Sequence, residues 1–494
     1  MAKIQVNGKF IEAKEGSLLI DVLLENNIHV PHFCYHKSLG KDGNCRMCMV
    51  EIEGQKRPQI ACDTPVKEGQ VIRTKGEKID KVKKNILELE LINHPIDCPI
   101  CDQAGECKLQ DYYMDVGLYD SRVETSKQRA KKQVDLGSFV MLDQERCVLC
   151  TRCVRFTKNI TKTHELGVLK RADSSVIATF PGKKLDNPYA MNVVDLCPVG
   201  ALTSKDFRFK KRVWFLQSDE IICDGCSKGC NIFCDHNREK YGDDLIYRYR
   251  PRLNEDVNGH FICDVGRLSY KKENENRLYE SKIQGKDEDF ETALKKAQSI
   301  MGEDKKKLLI VSPNLSIEEM YLLKLVSEKF NCDVVICMDE YKDENFGDDF
   351  LKQNNLGLNA NGALVLGLDT NSNVKELLKN YDLHIYVGLK NLDAWIDLSC
   401  KREKTCCAFS AFGAQSMDKC AFLIAIASHT EKKGTYLTSD NLLQKSNSKV
   451  RKNKQAKSLF HILSRLGKFP FENGDDIWDN GYLDLFSSFK KAYK

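Results

Sequence analysis

The spacing of the cysteines constrains this sequence more than any other feature. The chain has 494 residues and 22 cysteines, and sixteen of these cysteines lie in the first 263 residues. Most of the sixteen stand in groups with two or three residues between neighbours. In a reducing compartment such groups bind metals or carry redox chemistry far more often than they form structural disulfides. The first half of the chain is therefore predicted to be built around metal centres.

Composition indicates a soluble globular chain of about three or more domains. Apolar residues make up 42% and charged residues 30%, and the net charge is +5. This balance does not favour nucleic acid or acidic lipid as a partner. The start of the chain resembles neither a secretory signal nor a transit peptide, and the longest apolar runs, such as 421–427, are shorter than the roughly 20 residues of a membrane helix. We expect a cytosolic protein without membrane insertion of its own.

Residue periodicity predicts a small mixed β sheet crossed by one helix at the start of the chain. Asn7-Gly8 indicates the turn of a hairpin, and a short helix is predicted over 18–25. Further strands are predicted at 49–54 and 70–74. A longer helix is predicted over 79–92, with Val82, Ile86 and Leu89 as its apolar positions.

The second half of the chain alternates predicted helices and strands. Helices are predicted from Phe290 to Ile300 and from Ser316, as a cap, to Phe330. Strands are predicted at 307–313, 332–337, 363–368 and 383–388. This alternation predicts a parallel α/β sheet. The basic segment 445–457 is predicted to be a solvated loop. The domain boundaries that follow are 1–78, 79–118, 119–212, 213–272 and 273–494.

The first cysteine group is Cys34, Cys45, Cys48 and Cys62. Three ligands in one loop and a fourth from a later segment are typical of a [2Fe–2S] ferredoxin, although the first gap is wider than in the plant type. Gly43 and Asn44 suit a loop that wraps a cluster and points its amides at sulfur. Zinc is the alternative, but zinc sites usually have two Cys-x2-Cys pairs and only one is present here.

The second group is His94, Cys98, Cys101 and Cys107. Three thiolates within ten residues lack a nearby fourth, so His94 is the natural fourth ligand of a [4Fe–4S] cluster. A structural role for this histidine is the alternative.

The third group is Cys147, Cys150 and Cys153, followed by the distant Cys197-Pro198. This is the arrangement of a bacterial [4Fe–4S] ferredoxin. No second complete run accompanies Cys197, so it is predicted to complete this site. Two Cys-x2-Cys gaps in series suit a cubane cluster better than a single zinc ion.

The fourth group is Cys223, Cys226, Cys230 and Cys263, which again provides four thiolates for a [4Fe–4S] cluster. Cys234 competes for the fourth position. Cys263 is preferred because a turn glycine follows it, together with Arg267, which could balance cluster charge. Zinc remains the alternative at this site.

The six later cysteines have no ligand spacing and are interpreted as small buried hydrophobic residues: Cys332, Cys337, Cys400, Cys406, Cys407 and Cys420. Nucleotide-binding glycine motifs are absent, and no catalytic Ser/His/Asp or Cys/His arrangement can be argued. Four electron-carrying sites without a place for hydride or bond-making chemistry indicate an electron conductor.

Four motifs surround the cysteines of the first three groups: Val30-Pro-His-Phe-Cys-Tyr-His, Gly43-Asn-Cys-Arg-Met-Cys-Met-Val-Glu, His94-Pro-Ile-Asp-Cys-Pro-Ile-Cys and Arg146-Cys-Val-Leu-Cys-Thr-Arg-Cys-Val-Arg-Phe. Together they closely resemble the large iron–sulfur subunit family of respiratory complex I. This is the 75 kDa-type subunit family of NADH–quinone oxidoreductases. The resemblance covers residues 1–272. It implies an α+β multidomain fold: a β-grasp [2Fe–2S] ferredoxin domain, ferredoxin-like [4Fe–4S] domains, and an α/β molybdopterin-oxidoreductase-like domain.

The resemblance also implies how the sites are used. In the family, electrons leave a flavin on a neighbouring subunit and reach the [2Fe–2S] centre, here the first group. They continue to the third group, then to the His-ligated second group, and then through other peripheral-arm subunits toward quinone, while the membrane arm translocates protons. The fourth group lies off this path. The chain is then a peripheral protein on the cytoplasmic side of the bacterial inner membrane, with no flavin or nucleotide of its own.

The resemblance is weaker in the second half. Asn359-Ala-Asn-Gly-Ala-Leu-Val-Leu-Gly and Ser428-His-Thr-Glu-Lys-Lys-Gly-Thr-Tyr are similar to parts of the molybdopterin-oxidoreductase-like domain. The region 273–494 is shorter than in the family and offers no molybdenum ligand, so a scaffold without molybdopterin is expected. Formate dehydrogenase and iron-only hydrogenase catalytic subunits need motifs that are missing. The electron-transfer subunit of an NAD-linked hydrogenase or formate dehydrogenase is the main alternative, and a zinc-rich scaffold or nucleic-acid module is a further one.

Overall fold

The computed structural model describes residues 1–117, 121–124, 126–237, 245–448, 450 and 456–493. The chain divides into two compact units, Met1–Phe215 and Leu216–Lys494. Along the described residues, no helix is both long enough and apolar enough to cross a lipid bilayer.

The first unit combines short strands with short helices. Its strands are β1 Ala2–Val6, β2 Lys9–Ala13, β3 Met49–Ile52, β4 Gln59–Ile60, β5 Val71–Arg73, β6 Val134–Asp135, β7 Val140–Leu142, β8 Leu166–Leu169, β9 Val176–Thr179 and β10 Leu202–Ser204. Its helices are α1 Leu19–Glu25, α2 Glu77–Leu91, α3 Lys108–Val116, α4 Arg152–Arg155, which continues as a π-helical turn, and α5 Asn192–Leu196.

The predicted mixed sheet at the start of the chain is confirmed. Its strand order is β2-β1-β5-β3-β4, with β1 antiparallel to β2 and parallel to β5. Asn7 and Gly8 both have positive φ, 48° and 86°, as the twist of a two-residue hairpin requires. Helix α1 packs Leu19, Ile20 and Leu23 into a core against the sheet.

Helix α2 differs from its prediction in the face that it buries. It begins two residues earlier than expected, and its buried positions are Ile79, Lys83 and Leu87. Leu89, predicted to face the core, is 67% exposed. The buried face includes Lys83, whose ammonium donates to the carbonyl of Thr74 at 2.6 Å.

The second unit is larger and contains the α/β region. Its strands are β11 Leu216–Ile222, β12 Asn231–Asn237, β13 Ile246–Pro251, β14 Ser281–Ile283, β15 Lys286–Glu288, β16 Lys307–Val311, β17 Cys332–Ile336, β18 Leu383–Val387, β19 Thr405–Ser410, β20 Leu423–Ala425, β21 Lys433–Leu437, β22 Leu442–Asn447 and β23 Lys490–Lys491. Its helices are α6 Asp264–Leu268, α7 Tyr270–Glu273, α8 Phe290–Met301, α9 Ile317–Phe330, α10 Ala360–Val365, α11 Val374–Leu377, α12 Leu392–Lys401, α13 Leu459–Gly467 and α14 Gly474–Asp479.

The predicted parallel α/β sheet is confirmed, and with it the α+β multidomain class. Strands β20-β19-β18-β16-β17 run parallel, and the β14–β15 hairpin adds to the β20 edge in antiparallel fashion. Ser316 caps α9 in a capping box with Glu319, as the sequence indicated. Apolar side chains on both faces of the sheet form two cores.

Two predictions for the second unit are wrong. The run 363–368 was expected to be a strand, but α10 covers Ala360–Val365. A short apolar run does not distinguish a strand from a buried helix, and here Gly367, at φ 74°, follows the helix end. The segment 445–457 was expected to be a loop, but residues 445–447 belong to β22, paired with β21. Residues 449 and 451–455 of that segment lie outside the described residues.

Candidate metal centres

The first group of cysteines converges in the loop between α1 and β3. Cys34, Cys45 and Cys48 come from this loop, and Cys62 comes from a helical turn after β4; all four are buried. The thiols of Cys45 and Cys62 donate hydrogen bonds to Cys34, which lowers the pKa of Cys34, and Cys62 also interacts with Cys48. The structure therefore brings the four predicted ligands together.

The loop around Cys34 also has the predicted amide arrangement. The main-chain amides of Gly43 and Cys45 donate to the Cys34 thiol and help to lower its pKa. Gly43 has a φ of 73° and Arg46 a φ of 55°, so the loop turns through left-handed conformations on both sides of Cys45. This curvature directs amides inward, where they stabilise negative charge on sulfur.

The second group lines one cavity of about 440 Å³ that is partly open to solvent. His94 follows α2, Cys98 and Cys101 flank a helical turn, and Cys107 precedes α3. Burial lowers the pKa of His94 to about 4 and raises the pKa of Cys107 to about 11. The Nδ1 atom of His94 is buried and has no hydrogen-bond partner among the described residues. A neutral imidazole with an unpaired buried nitrogen suits a metal ligand.

The third group lines a second cavity, of about 340 Å³. Cys147 and Cys150 come from the loop before α4, Cys153 lies in α4, and Cys197 follows α5. Leu149 and Thr151 have φ values of 47° and 59°, so the chain between the thiols is tightly turned. Burial raises the pKa values of these thiols, that of Cys150 to about 12. Four desolvated thiols around one cavity require a positively charged group to remain ionised.

The fourth group lies in the second unit. Cys223, Cys226 and Cys230 come from the β11–β12 loop, and Cys263 precedes α6, where its Sγ accepts from the amide of Gly266 at 3.3 Å. All four are buried, and burial together with the charge of neighbouring members of the group raises the pKa values of Cys223, Cys230 and Cys263. The competing Cys234 lies within β12, paired with Asp219 and Tyr249.

The structure places Arg267, the residue expected to balance cluster charge, against β13. Its guanidinium donates to the carbonyl of Tyr249 at 3.4 Å. Burial raises the pKa values of Cys226 and Cys263, and the charges of Lys390 and Lys228 on the former and of Lys352 on the latter partly offset this rise. Lys352 and Lys390 are far from the cysteines in sequence, and Lys228, which lies among them, belongs to no recognised motif. Sequence analysis therefore did not find these lysines.

Two glycines leave room for the sulfur atoms. A Cβ built on Gly200 would overlap the Sγ of Cys101, and one on Gly266 would lie 3.1 Å from the Sγ of Cys223 and 3.3 Å from that of Cys263. These close approaches, the four-thiol donor sets and the unpaired nitrogen of His94 fit iron–sulfur ligation. Among the described residues, no three Cys, His, Asp or Glu side chains are grouped as a single metal ion would need.

The first and third centres are joined by direct hydrogen bonds. The Nδ2 of Asn44 donates to the carbonyl of Leu149 at 2.9 Å, and Thr151 donates to Asp42 at 2.9 Å. The guanidinium of Arg155 donates to the carbonyls of Cys34 and Cys150, one cysteine from each group.

The third and second centres are also adjacent. The amide of Lys108, next to Cys107, donates to the carbonyl of Pro198, next to Cys197, at 3.0 Å. Arg146, which precedes Cys147, lines the cavity of the second group and pairs with Asp97 at 2.7 Å. The bridging arginines were missed from sequence, although they alternate with the cysteines of the third motif at 146, 152 and 155.

Three family models match the first unit. Residues 1–77 match a 2Fe-2S iron-sulfur cluster binding domain, residues 83–122 the NADH-ubiquinone oxidoreductase-G iron-sulfur binding region, and residues 137–203 the ferredoxin-like domain of NADH-quinone oxidoreductase subunit 3. The G-type NADH-quinone oxidoreductase subunit of Rickettsia conorii is 36% identical over 338 residues. The iron–sulfur region of this chain belongs to the large iron–sulfur subunit family of NADH-quinone oxidoreductases. The family predicted from the cysteine motifs is thus confirmed.

The match within this family is partial in length. The Rickettsia conorii alignment covers 67% of this chain and 49% of the relative. The NADH-ubiquinone oxidoreductase 75 kDa subunit of Reclinomonas americana is 40% identical over 278 residues, which are 56% of this chain and 39% of the relative. The chain therefore spans about half the length, or less, of the curated relatives it matches. Among solved structures, a chain from the crystal structure of an NAD+-reducing [NiFe]-hydrogenase in the H2-reduced state is 27% identical, with a TM-score of 0.40, over 43% of this chain and 91% of that one.

Proposed function

We propose that this chain is an electron-conducting subunit of a respiratory NADH–quinone oxidoreductase. It carries electrons from a flavin-bearing donor subunit toward quinone, in a complex whose membrane arm translocates protons. The relatives that it matches are named as subunits of such enzymes. In this role the chain acts only within the complex and has no self-contained active site.

The observation that carries this proposal is the contiguity of three centres. Asn44 and Arg155 join the first centre to the third, and Lys108 joins the third to the second. Contiguous centres suit electron transfer because each electron then crosses only a short distance from one centre to the next. The spatial order first, third, second supports the same order for electron flow, the order implied by the resemblance to complex I.

We assign a [2Fe–2S] cluster to the first group and a [4Fe–4S] cluster to each of the other three. The ligands are Cys34, Cys45, Cys48 and Cys62; His94, Cys98, Cys101 and Cys107; Cys147, Cys150, Cys153 and Cys197; and Cys223, Cys226, Cys230 and Cys263. Such clusters supply reversible one-electron transfer when bound. The fourth lies off the path. No molybdopterin, flavin or nucleotide is assigned to this chain.

The protein residues around the first three centres have two tasks. The first is to offset thiolate charge: Arg152 is buried beside Cys150 and Cys197, and its charge lowers the pKa values of both thiols. The second is to hold neighbouring groups at fixed separation, which Arg155 does through carbonyls of both motifs. Burial of the thiols restricts water at the same positions.

The partners in this proposal are other peripheral-arm subunits: the donor subunit and the downstream iron–sulfur subunits. NADH, ferredoxin and flavodoxin are the candidate sources of electrons for the donor subunit. The chain then lies on the cytoplasmic side of the bacterial inner membrane, attached through these partners. No nucleic acid takes part.

The test is to purify the full chain anaerobically, measure iron and labile sulfide, and record low-temperature EPR during stepwise reduction. One [2Fe–2S] and three [4Fe–4S] clusters hold fourteen iron atoms, and we expect four distinct signals. A count near ten, with the fourth signal missing, would remove only the off-path cluster. Zinc with almost no iron would overturn the proposal.

A further inference from the structure

Three of the later cysteines, which the sequence presented as unrelated buried residues, meet in the second unit. The Sγ atoms of Cys406 and Cys420 are 3.8 Å apart, and the thiol of Cys400 also hydrogen-bonds to Cys406. Cys406 and Cys420 are 2% and 1% exposed, whereas Cys400 is only partly buried. We refer to Cys400, Cys406 and Cys420 as the thiol cluster.

The fold places the three residues at one end of the parallel sheet. Cys400 is near the end of α12, Cys406 is the second residue of β19, and Cys420 stands shortly before β20. The amide of Ala421 donates to the carbonyl of Cys406 at 2.9 Å, so the two chain segments lie side by side. Backbones paired in this way are about 5 Å apart, within the range of roughly 4.4–6.8 Å that a disulfide spans between Cα atoms.

Cys406 is the member of the thiol cluster whose pKa is lowered. It accepts hydrogen bonds from Cys420 and Cys400, and the ammonium of Lys419 is nearby; these interactions lower its pKa despite burial. Burial and the neighbouring thiol raise the pKa of Cys420 instead. Disulfide exchange proceeds from a thiolate in contact with a second sulfur, so the lowered pKa of Cys406 favours exchange within the cluster.

We propose that Cys406 and Cys420 form a reversible disulfide, with Cys400 as the entry thiol for a small disulfide such as oxidised glutathione. The Cys400 sulfur attacks the small disulfide, whose S–S bond breaks and releases one thiol. Cys406 then attacks the Cys400 sulfur and releases the second thiol. Finally Cys420 attacks Cys406 and returns Cys400 as a free thiol. Overall the protein loses two electrons and two protons, which the small disulfide takes up as two thiols.

This inference does not depend on the proposed electron-conducting function, because none of the three cysteines belongs to a candidate centre. The neighbouring Cys407 provides a matched control. It is also fully buried on β19, but it belongs to the core on the other face of the sheet. Cys407→Ala should therefore leave the chemistry of the thiol cluster unchanged.

The test uses the full chain, kept anaerobic so that its other thiols are protected, and treated with oxidised glutathione. Remaining thiols are alkylated during unfolding and the peptides are mapped by mass spectrometry, with and without a reductant. We expect a reducible peptide pair linked through Cys406 and Cys420, and its loss in Cys406→Ala and in Cys420→Ser. Cys400→Ser should slow its formation without changing its final amount.

Separate alkylation of Cys406 and Cys420 in the treated wild-type chain would overturn the proposal. So would a glutathione adduct that stays on Cys400. The wild-type peptide map decides the question even if a variant folds poorly, and far-ultraviolet circular dichroism of each variant shows whether its map is comparable.

Discussion

The side-chain amide of Asn44 donates a hydrogen bond to the main-chain carbonyl of Leu149 at 2.9 Å. Asn44 precedes Cys45 of the first centre, and Leu149 lies between two cysteines of the third. Two loops 105 residues apart in the chain are thus hydrogen-bonded to each other. The separation of the two centres is therefore a property of the folded unit, not of a flexible linker.

Arg155→Leu should loosen this junction. The guanidinium donates to the carbonyls of Cys34, Leu39, Gly40 and Cys150, and leucine removes all four of these hydrogen bonds. We expect the free energy of unfolding of the first unit to fall by about 2–3 kcal/mol, measured as a shift in the urea midpoint. Arg57→Leu, at an exposed side chain, should change it by less than about 0.5 kcal/mol. Equal effects of the two substitutions would contradict a bridging role.

Gly200→Ala should damage the second centre although it changes no ligand. The added methyl group would overlap the Sγ of Cys101 and stand 3.1 Å from the Cβ of Gln103. We expect up to four iron atoms to be lost per chain, together with one EPR signal. Gly413→Ala is the control, because its Cβ would meet only ordinary contacts at 3.4 and 3.6 Å. An unchanged iron count in Gly200→Ala would mean that sulfur is not held at this position.

His94→Ala should remove or alter the EPR signal of the second centre and leave the others unchanged. His94→Cys should restore a cluster with a lower midpoint potential, because a thiolate adds negative charge where the imidazole is neutral. The check is a redox titration followed by EPR. His164→Asn, at an exposed histidine with a φ of 52° that asparagine tolerates, is the matched control. A spectrum of His94→Ala identical to wild type would exclude ligation.

Cys263→Ser and Cys234→Ser should separate the two candidates for the fourth ligand. Cys263 lies with Cys223, Cys226 and Cys230, whereas Cys234 is a strand residue of β12. We expect Cys263→Ser to lose the fourth cluster while the remaining signals persist. Cys234→Ser should keep the full iron content. The reverse result would reassign the ligand.

The second unit should lose stability in acid through His384. This side chain is buried in the sheet, where its ring nitrogens contact Ser399 at 2.7 Å and the Leu378 carbonyl at 3.1 Å, and burial lowers its pKa from 6.5 to about 4. Between pH 6.5 and 4 the unfolded state binds a proton that the folded state does not. The free energy of unfolding should therefore decrease as the pH is lowered through that window, by up to about 2 kcal/mol at pH 5.

The measurement for His384 is hydrogen exchange of the amides in β18 at pH 7 and pH 5, corrected for intrinsic rates. His384→Gln should show a smaller loss of protection between the two pH values than wild type. Parallel losses in both proteins would assign the acid sensitivity to other groups.

Sequence spacing predicted which cysteines come together in the fold, because the ligands of a compact cluster must lie close in the chain or return at a motif such as Cys197-Pro198. The contacts between centres were not predictable in the same way. Arg155 reaches carbonyls more than 100 residues away, and the main-chain groups that it meets carry no residue signature. The sequence does show arginines next to the cysteines of the third group, at 146, 152 and 155, although it does not show what they contact.

The errors in the second unit have related causes. Ala363 and its apolar neighbours suit a helix or a strand, and only packing against the rest of the unit decides between them. Lys445 was predicted to be part of a polar loop, yet it lies in β22 and pairs with Thr435 of β21. Its ammonium contacts Asp475 at 2.8 Å. The thiol cluster arises because β19 and the segment before β20 lie side by side, which spacing alone does not reveal.

The order of the centres is tested most directly by magnetic coupling in the fully reduced chain, prepared anaerobically and examined by pulsed EPR. We predict that the first and third clusters couple, that the third and second couple, and that the first and second couple most weakly. Removing the third cluster with Cys153→Ser should then leave the first and second nearly uncoupled. Strong coupling between the first and second clusters, unchanged in that variant, would contradict a path that runs through the third.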